Sequence, residues 1–306
     1  MNCNLCPRSC NVDRNVKTGF CMMNNEIRAA RAALHMWEEP CISRNNGSGT
    51  VFFTGCTLRC VFCQNYKIAS EMEGKTITTD RLTDIFLELQ DKKANNINLV
   101  TPTHFVNPII KALENAKSKG LVIPVVYNTS GYEKVETLRM LDGLVDVYLP
   151  DFKYVSSELS LKYSGAVDYF QVAKDALKEM VRQRGNASFY NHNDILVKEG
   201  FVEEGIMKSG VVVRHLILPG NTEDSKKVVE YLYKTYKDDI FISIMNQYTP
   251  LPQVKDIPEL NRKVTEKEYD EVIDYALELG VTNGFIQEGE TSEESFIPEF
   301  DFSGIL

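Results

Sequence analysis

The sequence predicts an α/β fold, an incomplete (β/α)6 barrel with a small cysteine-rich N-terminal extension. Three observations carry that expectation. From Gly47 onward, short β-branched or aromatic runs alternate with amphipathic stretches, the rhythm of βα units building a parallel sheet. Polar residues gather directly after those runs, at the strand ends where a TIM-type barrel carries its active site. Seven of the 8 cysteines fall into two tight groups, one before residue 22 and one between 56 and 63. The chain accordingly divides into 1–45, the extension, and 46–306, the partial barrel with a C-terminal tail.

The extension opens "MNCNLCPRSCNVDR", and its one regular candidate is a helix over "EIRAARAALHMW" (26–37). Six strand candidates follow: 50–54 (TVFFT), 97–101 (INLVT), 122–127 (VIPVVY), 145–149 (VDVYL), 211–217 (VVVRHLI) and 240–245 (IFISIM). Their polar ends read "GCTLRC", "PTH", "NTSG", "PDFK", "LPGN" and "NQYTP" in turn. Helices are expected between them. "DRLTDIFLELQDKKA" offers Asp80 as N-cap and sets Leu82, Ile85, Phe86 and Leu89 on one face. "NPIIKALENAKSKG" has Pro108 in its first turn and Gly120 as a stop. "YFQVAKDALKEMVRQRG" and "TEDSKKVVEYLYKTYKD" follow the same grammar. "TEKEYDEVIDYALELG" starts with the capping-box pair Thr265 and Glu268 and ends at Gly280. "NGFIQ" (283–287) reads as a further strand, whereas the polar, glycine-punctuated 185–210 reads as a long loop or small insertion.

Composition narrows the function classes. A chain of 306 residues with 43% hydrophobic and 25% charged residues belongs to the soluble globular class. Its net charge of −9 comes with no basic stripe interleaved with aromatics, which argues against a nucleic-acid partner. The longest apolar run, "LVIPVVY" (121–127), is far shorter than the ~18 residues that span a bilayer. The N-terminus lacks the apolar core of a signal peptide. The expectation is a cytoplasmic protein with reduced thiols and no membrane partner. In that compartment clustered cysteines bind metal more often than they form disulfides.

Cys56, Cys60 and Cys63, in "TVFFTGCTLRCVFCQN" (50–65), have the spacing C-x3-C-x2-C. So few intervening residues let a loop wrap three thiolates around one small inorganic core. A structural zinc wants four protein ligands, and a cubane [4Fe–4S] cluster takes one cysteine per iron. Three cysteines leave one position open, as catalytic metal sites do.

With Phe62 just before the last cysteine, this loop resembles the cluster motif of radical S-adenosylmethionine (SAM) enzymes. The resemblance implies a [4Fe–4S] cluster whose fourth iron is chelated by the methionyl amine and carboxylate of SAM. It further implies reductive cleavage of SAM to methionine and a 5′-deoxyadenosyl radical, which abstracts hydrogen from a substrate. Ordinary side chains do not perform such one-electron chemistry, so the cofactor supplies it. "NTSG" (128–131), "DFK" (151–153) and "VRHLILPGNTEDS" (213–225) are similar to the branch of the pyruvate formate-lyase activating enzymes, over about residues 47–250. By that likeness Ser130, Asp151 and Lys153 stand near the amino acid or ribose of SAM. Arg214 stands at the same mouth, and the backbone at Phe62 touches adenine. Two motifs of the branch differ: "NNGSGTVFF" replaces "DGPG…R", and "TPTH" (101–104) stands where "GGE" is expected. "CxLCPRxC…GFC", "HMWEEPCIS", "GSGTVFFTGC" and "FIPEFD" are more like the activase-homologue subgroup, whose substrate is unknown.

Independently of any family, the carboxylate of Asp151 and the ammonium of Lys153, two apart at a strand end, suit a zwitterion or a plain surface ion pair. Asn246 and Gln247 end the sixth strand within reach of SAM or substrate. Cys3, Cys6, Cys10 and Cys21 suffice for either a tetrahedral zinc or a second, complete [4Fe–4S] cluster. Cys41, left over beside Glu38 and Glu39, is a candidate hydrogen donor or substrate-binding thiol, or else a buried small hydrophobe. His104 and His215 fall at strand ends as site or core residues. The expected activity is that of a radical SAM oxidoreductase, fed by a flavodoxin or ferredoxin-type electron donor and acting on an unidentified small molecule or protein. The alternatives are an activase that installs a glycyl radical on a partner enzyme and a non-catalytic iron–sulfur or zinc protein.

Overall fold

The structure is a computed structural model that describes residues 2–198, 200–287 and 298–306. Its strands are β1 (Ile27–His35), β2 (Ser48–Phe53), β3 (Lys75–Ile77), β4 (Ile97–Val100), β5 (Val125–Thr129), β6 (Val147–Pro150), β7 (Ser188–Tyr190), β8 (Leu196–Val197), β9 (Ile206–Leu216), β10 (Phe241–Met245) and β11 (Gly284–Ile286). Its α-helices are α1 (Tyr66–Ala69), α2 (Thr79–Asp91), α3 (Val106–Ser118), α4 (Val135–Arg139), α5 (Ser157–Ser164), α6 (Tyr169–Arg184), α7 (Thr222–Tyr236) and α8 (Glu266–Leu279).

All six strand candidates and the seventh, at 283–287, form, and they pair in parallel in the order β11-β10-β9-β6-β5-β4-β2. β1 continues the sheet antiparallel to β2, and β3 closes that flank. Among the described residues the sheet is open between β11 and β3. The fold is α/β, an incomplete barrel with helices outside. Three sequence expectations need correction. Residues 26–37 are not a helix: 27–35 is the long strand β1, tying the extension into the same sheet. Of the two readings of 185–210 the small insertion holds and the long loop does not, since β7 and β8 form a hairpin that pairs with the first half of β9. α2 is capped by Thr78, whose hydroxyl accepts the Arg81 amide, and not by Asp80.

Strand alternation sorts the core. Outward side chains such as Leu99, Tyr127, Tyr148, Val213 and Ile242 pack under the helices, whose buried faces include Leu82, Ile85, Phe86 and Leu89 of α2. Each such side chain, taken fully out of water, contributes about 1.5–3 kcal/mol. Inward side chains do two jobs. Val126, Val147, Leu149, Val212 and Phe241 join Cys41 and Ile42 in a closed apolar floor. Nearer the strand carboxyl ends, Asn128, Asp151, Arg214 and Ser243 replace them with polar groups, and Asn98, opposite Val126, sets an amide at the level of the floor. The barrel thus has an apolar floor and a polar mouth.

Candidate active site

The loop from Thr54 to Asn65 leaves the carboxyl end of β2 carrying Cys56, Cys60 and Cys63. Left-handed turns at Gly55 (φ 88°) and Arg59 (φ 53°) curl it. That curl frees amides to point at sulfur. Cys56 Sγ accepts the Leu58 and Arg59 amides at 3.3 and 3.4 Å, and Cys60 Sγ accepts the Ser164 hydroxyl at 3.0 Å. The Asn65 amide serves Cys63 in the same way. Burial pushes the Cys60 thiol up to about 11, against the pull of the Lys153 ammonium. Cys63 is raised by burial and then by the neighbouring Cys56 and Cys60 sulfurs. Adjacent thiols that resist ionising alone, yet carry donors that favour thiolate, fit a metal cluster that neutralises them together.

Cys60 and Cys63 line a cavity whose opposite wall is a charged network. Asp151, Arg214 and Ser243 share one layer on the inner face of β6, β9 and β10. Arg214 donates from Nε to Asp151 Oδ1 at 3.0 Å, from Nη1 to Glu38 Oε2 at 3.1 Å and from Nη2 to Asn128 Oδ1 at 2.6 Å. Lys153 Nζ holds the other Asp151 oxygen at 2.7 Å. Glu38 Oε1 accepts from Asn98 at 2.9 Å and Asn128 at 3.3 Å. None of the four charged side chains is more than 19% exposed. Burial alone would raise the Asp151 pKa, but Lys153 and Arg214 outweigh it and hold the carboxyl below its ordinary value. Burial likewise lowers Lys153, and Asp151 more than restores it. Glu38 stays raised by burial, because Arg214 offsets only part of the cost. Two cations face two anions, a balanced set that presents both signs of charge to a ligand.

The N-terminal cysteines pack beside this mouth. Cys10 Sγ accepts the Phe20 amide at 3.2 Å, and the Arg8 and Met23 amides serve Cys6 and Cys21. A Cβ on Gly19 would stand 3.5 Å from Cys10 Sγ and 3.6 Å from Cys21 Sγ, so both sulfurs flank the space that glycine leaves empty. Burial pushes Cys6 up to about 12, with Glu133, Cys21 and Cys10 adding to it. The two cysteine groups meet at Gly55, where a Cβ would lie 2.6 Å from the Cys21 carbonyl oxygen. Arg8 ties them further, donating to the carbonyls of Thr57, Ser164 and Gly165. This four-thiol donor set suits zinc or a cluster, although among the described residues no three His, Cys, Asp or Glu side chains converge on a single metal ion.

Phe62, Asp151, Lys153, Arg214 and Gln247 come together with Cys60 and Cys63 around the cavity. Phe62 is buried among Tyr154, Tyr163 and Tyr248, with Lys153 Nζ 5.9 Å from its ring centre. Ser130 and Asn246 do not line it. The Ser130 carbonyl accepts the Tyr169 hydroxyl, and the Asn246 amide donates to Gln287. Cys41 lies in the apolar floor, where burial raises its thiol well above the ordinary value. His104 and His215 are core residues kept neutral by burial, their pKa values pushed down to about 3 and about 4. Phe296 and Ile297 of "FIPEFD" lie outside the described residues. Sequence reasoning missed Glu38, Asn98 and Asn128 as site residues. The signals for Glu38 and Asn98 were faint, adjacent acids between Trp37 and Pro40 and a lone amide inside the apolar strand β4, whereas Asn128 opens the strand-end motif at 128–131.

The chain matches the radical SAM superfamily model over residues 50–232. It is 30% identical over 285 residues to an uncharacterized protein of Methanocaldococcus jannaschii, MJ0674, covering 90% of this chain and 74% of that one. Its fold is similar to that of HydG, a maturase of the [FeFe]-hydrogenase, with a TM-score of 0.51 and 14% identity over 81% of this chain and 54% of that one. Streptococcus suis SuiB bound to the precursor peptide SuiA aligns with a TM-score of 0.49 and 14% identity, over 77% of this chain and 47% of that one. The chain spans about half the length of these two solved structures. Taken with the cysteine loop at the end of β2, the family match gives a plain result: the chain belongs to the radical SAM superfamily, whose enzymes work with SAM and a [4Fe–4S] cluster.

Proposed function

We propose that Cys56, Cys60 and Cys63 are the three protein ligands of a [4Fe–4S] cluster, and that SAM docks between that cluster and the Asp151–Lys153–Arg214 network. The observation that carries this reading is the pairing of a three-thiol loop with a buried, charge-balanced wall across one cavity. Bound there, cluster and SAM supply reductive cleavage to methionine and a 5′-deoxyadenosyl radical for hydrogen abstraction. The chain's own residues position and shield. Asp151 and Lys153 meet the opposite charges of the methionyl group. Phe62, walled by three tyrosines, lines the cavity, and its backbone meets the adenine. Arg214 fixes Asp151 from behind.

Cys3, Cys6, Cys10 and Cys21 hold an auxiliary zinc or second cluster in this reading, supported by the amide donors on their sulfurs. A flavodoxin or ferredoxin-type donor supplies the electron. The strand-end motifs "NTSG", "DFK" and "VRHLILPGNTEDS" support a place near the pyruvate formate-lyase activating enzymes, in the activase-homologue subgroup. The open flank of the sheet supports a second reading, in which a partner's loop enters and receives a glycyl radical. Anaerobic mixing with candidate partners would then give a glycyl EPR doublet.

The test is iron and zinc content with EPR of anaerobically purified protein, before and after SAM, and 5′-deoxyadenosine formation with dithionite. Cys60→Ala abolishes that product, and Cys6→Ala leaves part of it. A cluster signal indifferent to SAM, with no product, would mark a non-catalytic iron–sulfur protein and end the proposal.

A further inference from the structure

Behind the Glu38–Arg214 pair lies a second cavity that SAM, as placed above, does not use. The 36–40 segment forms one side and the inner face of β10 with β11 the other. It shares Trp37, Glu38, Arg214, Met245 and Gln247 with the first cavity. Its remaining walls are largely apolar: Met36, Pro40, Phe285 and Ile286. Into them is set Glu39, only 8% exposed, whose Oε2 has no hydrogen-bond partner among the described residues.

That oxygen is an anomaly, because a buried acceptor without a donor costs free energy that folding ordinarily avoids. Burial pushes the Glu39 carboxyl up to about 7. Arg214 pulls it back in part, Glu38 pushes it further, and Ser243 eases it. Arg214 does not complete it: its Nε and both terminal nitrogens are directed to Asp151, Glu38 and Asn128, and none of them bonds Glu39 Oε2. Lys153 is engaged by Asp151. The cavity therefore presents one buried carboxylate oxygen that no donor among the described residues satisfies, on largely apolar walls beside Gln247 and Gln287. A ligand that completes it brings N–H donors, positive charge and an apolar stem.

We propose that this cavity is the substrate site and that it takes a cationic nitrogen, ammonium or guanidinium, on an apolar chain, with the cation on Glu39. The inference rests on the radical SAM reading, since the shared wall is what brings the bound stem beside the cavity of Cys60 and Cys63. The cation is carried either by a free amine or by a lysine or arginine side chain of a peptide.

The experiment is isothermal titration calorimetry on anaerobically reconstituted, full-length protein with SAM. The probes are n-hexylammonium and n-hexylguanidinium against n-hexanol and hexanoate, and the capped peptide acetyl-Gly-Lys-Gly-amide against its norleucine counterpart. The cations bind at least about tenfold tighter than their neutral and anionic isosteres, as expected when an unpaired buried acceptor is satisfied. Glu39→Gln removes that preference, and Glu39→Asp retains part of it. Trp37, the single tryptophan, lines both cavities, so its emission changes with the same midpoint. Tighter binding of the lysine peptide than of the free amine assigns the cation to a side chain, and the reverse assigns it to a small molecule. Equal affinity for hexanol and hexylammonium, absence of binding, or a preference that survives Glu39→Gln overturns the inference. The wild-type comparison needs no variant, so it stands even if a substitution unfolds the chain. Wild-type protein that forms 5′-deoxyadenosine but shows no cation preference sinks this inference alone, whereas protein that forms none sinks the radical SAM reading.

Discussion

Arg214 reaches Asp151, Asn128 and Glu38 across 63, 86 and 176 residues of chain. Its fork meets three acceptors in three directions, which one lysine ammonium cannot do from the same stem. Removing it strands the Asp151 and Glu38 carboxylates in a buried wall. Arg214→Met is therefore expected to destabilise the fold by about 3–5 kcal/mol, the usual cost of breaking a buried charge pair from one side. Arg214→Lys recovers only a part. The check is the denaturant midpoint of each variant under anaerobic conditions, and a wild-type midpoint for Arg214→Met would show that the network carries no stability. Gly55 acts at the same scale by what it lacks. At φ 88°, with the Cys21 carbonyl 2.6 Å from where a Cβ would stand, only glycine lets the two cysteine groups approach.

Helix α8 illustrates what local sequence decides. Thr265 Oγ1 accepts the Glu268 amide at 3.2 Å, and Glu268 Oε2 accepts the Thr265 amide at 2.9 Å, the reciprocal cap that the pattern predicts. Glu268 also takes the Gly220 amide and the Arg262 guanidinium. The Arg262 bonds, first among these causes, hold its carboxyl far below the usual range against the cost of burial. A depressed folded-state pKa gives stability that is complete above the ordinary glutamate value, about 4.3, and drains as pH falls toward the folded value. Glu268→Gln keeps a capping oxygen but loses the charge that pairs with Arg262, and because that pair is solvent-screened the expected cost at neutral pH is roughly 1 kcal/mol. That difference shrinks as unfolding is measured at successively lower pH below about 4.3. An equal deficit at low and neutral pH would contradict it.

The failed elements lie at this scale too. "EIRAARAALHMW" is rich in good helix formers, and its buried positions, Ile27, Ala29, Ala30 and Ala32, do not alternate cleanly. A register shift between Ala29 and Arg31 accounts for the broken alternation. Pairing with β2 on one side and β3 on the other overrode the propensity, as sheet context routinely does. In 185–210, polar side chains hid a hairpin whose strand character comes only from its partner β9.

For the whole molecule, Ile42 is where the extension becomes part of the barrel. It is fully buried among side chains from β5, β6, β7, β9 and β10. Ile42→Ala leaves a cavity in that floor and is expected to cost about 2–5 kcal/mol, read as a lowered unfolding midpoint. If the floor were loosely packed, the loss would fall below that range.

The sequence by itself determined the βα order, the parallel sheet and the three-cysteine loop. Each of these is encoded within a short window, either as an alternation a few residues long or as ligands spaced inside eight positions. Only the tertiary structure decided that Glu38 and Glu39 face the mouth and that Cys41 faces the floor. It also decided that Asn98 and Asn128 point inward together, and that the N-terminal cysteines abut the loop at Gly55. The physical reason is that the curl of the sheet sets these contacts between segments far apart in the chain. A carboxylate that reads as surface charge in sequence becomes a buried, costly and therefore informative group once the barrel folds around it.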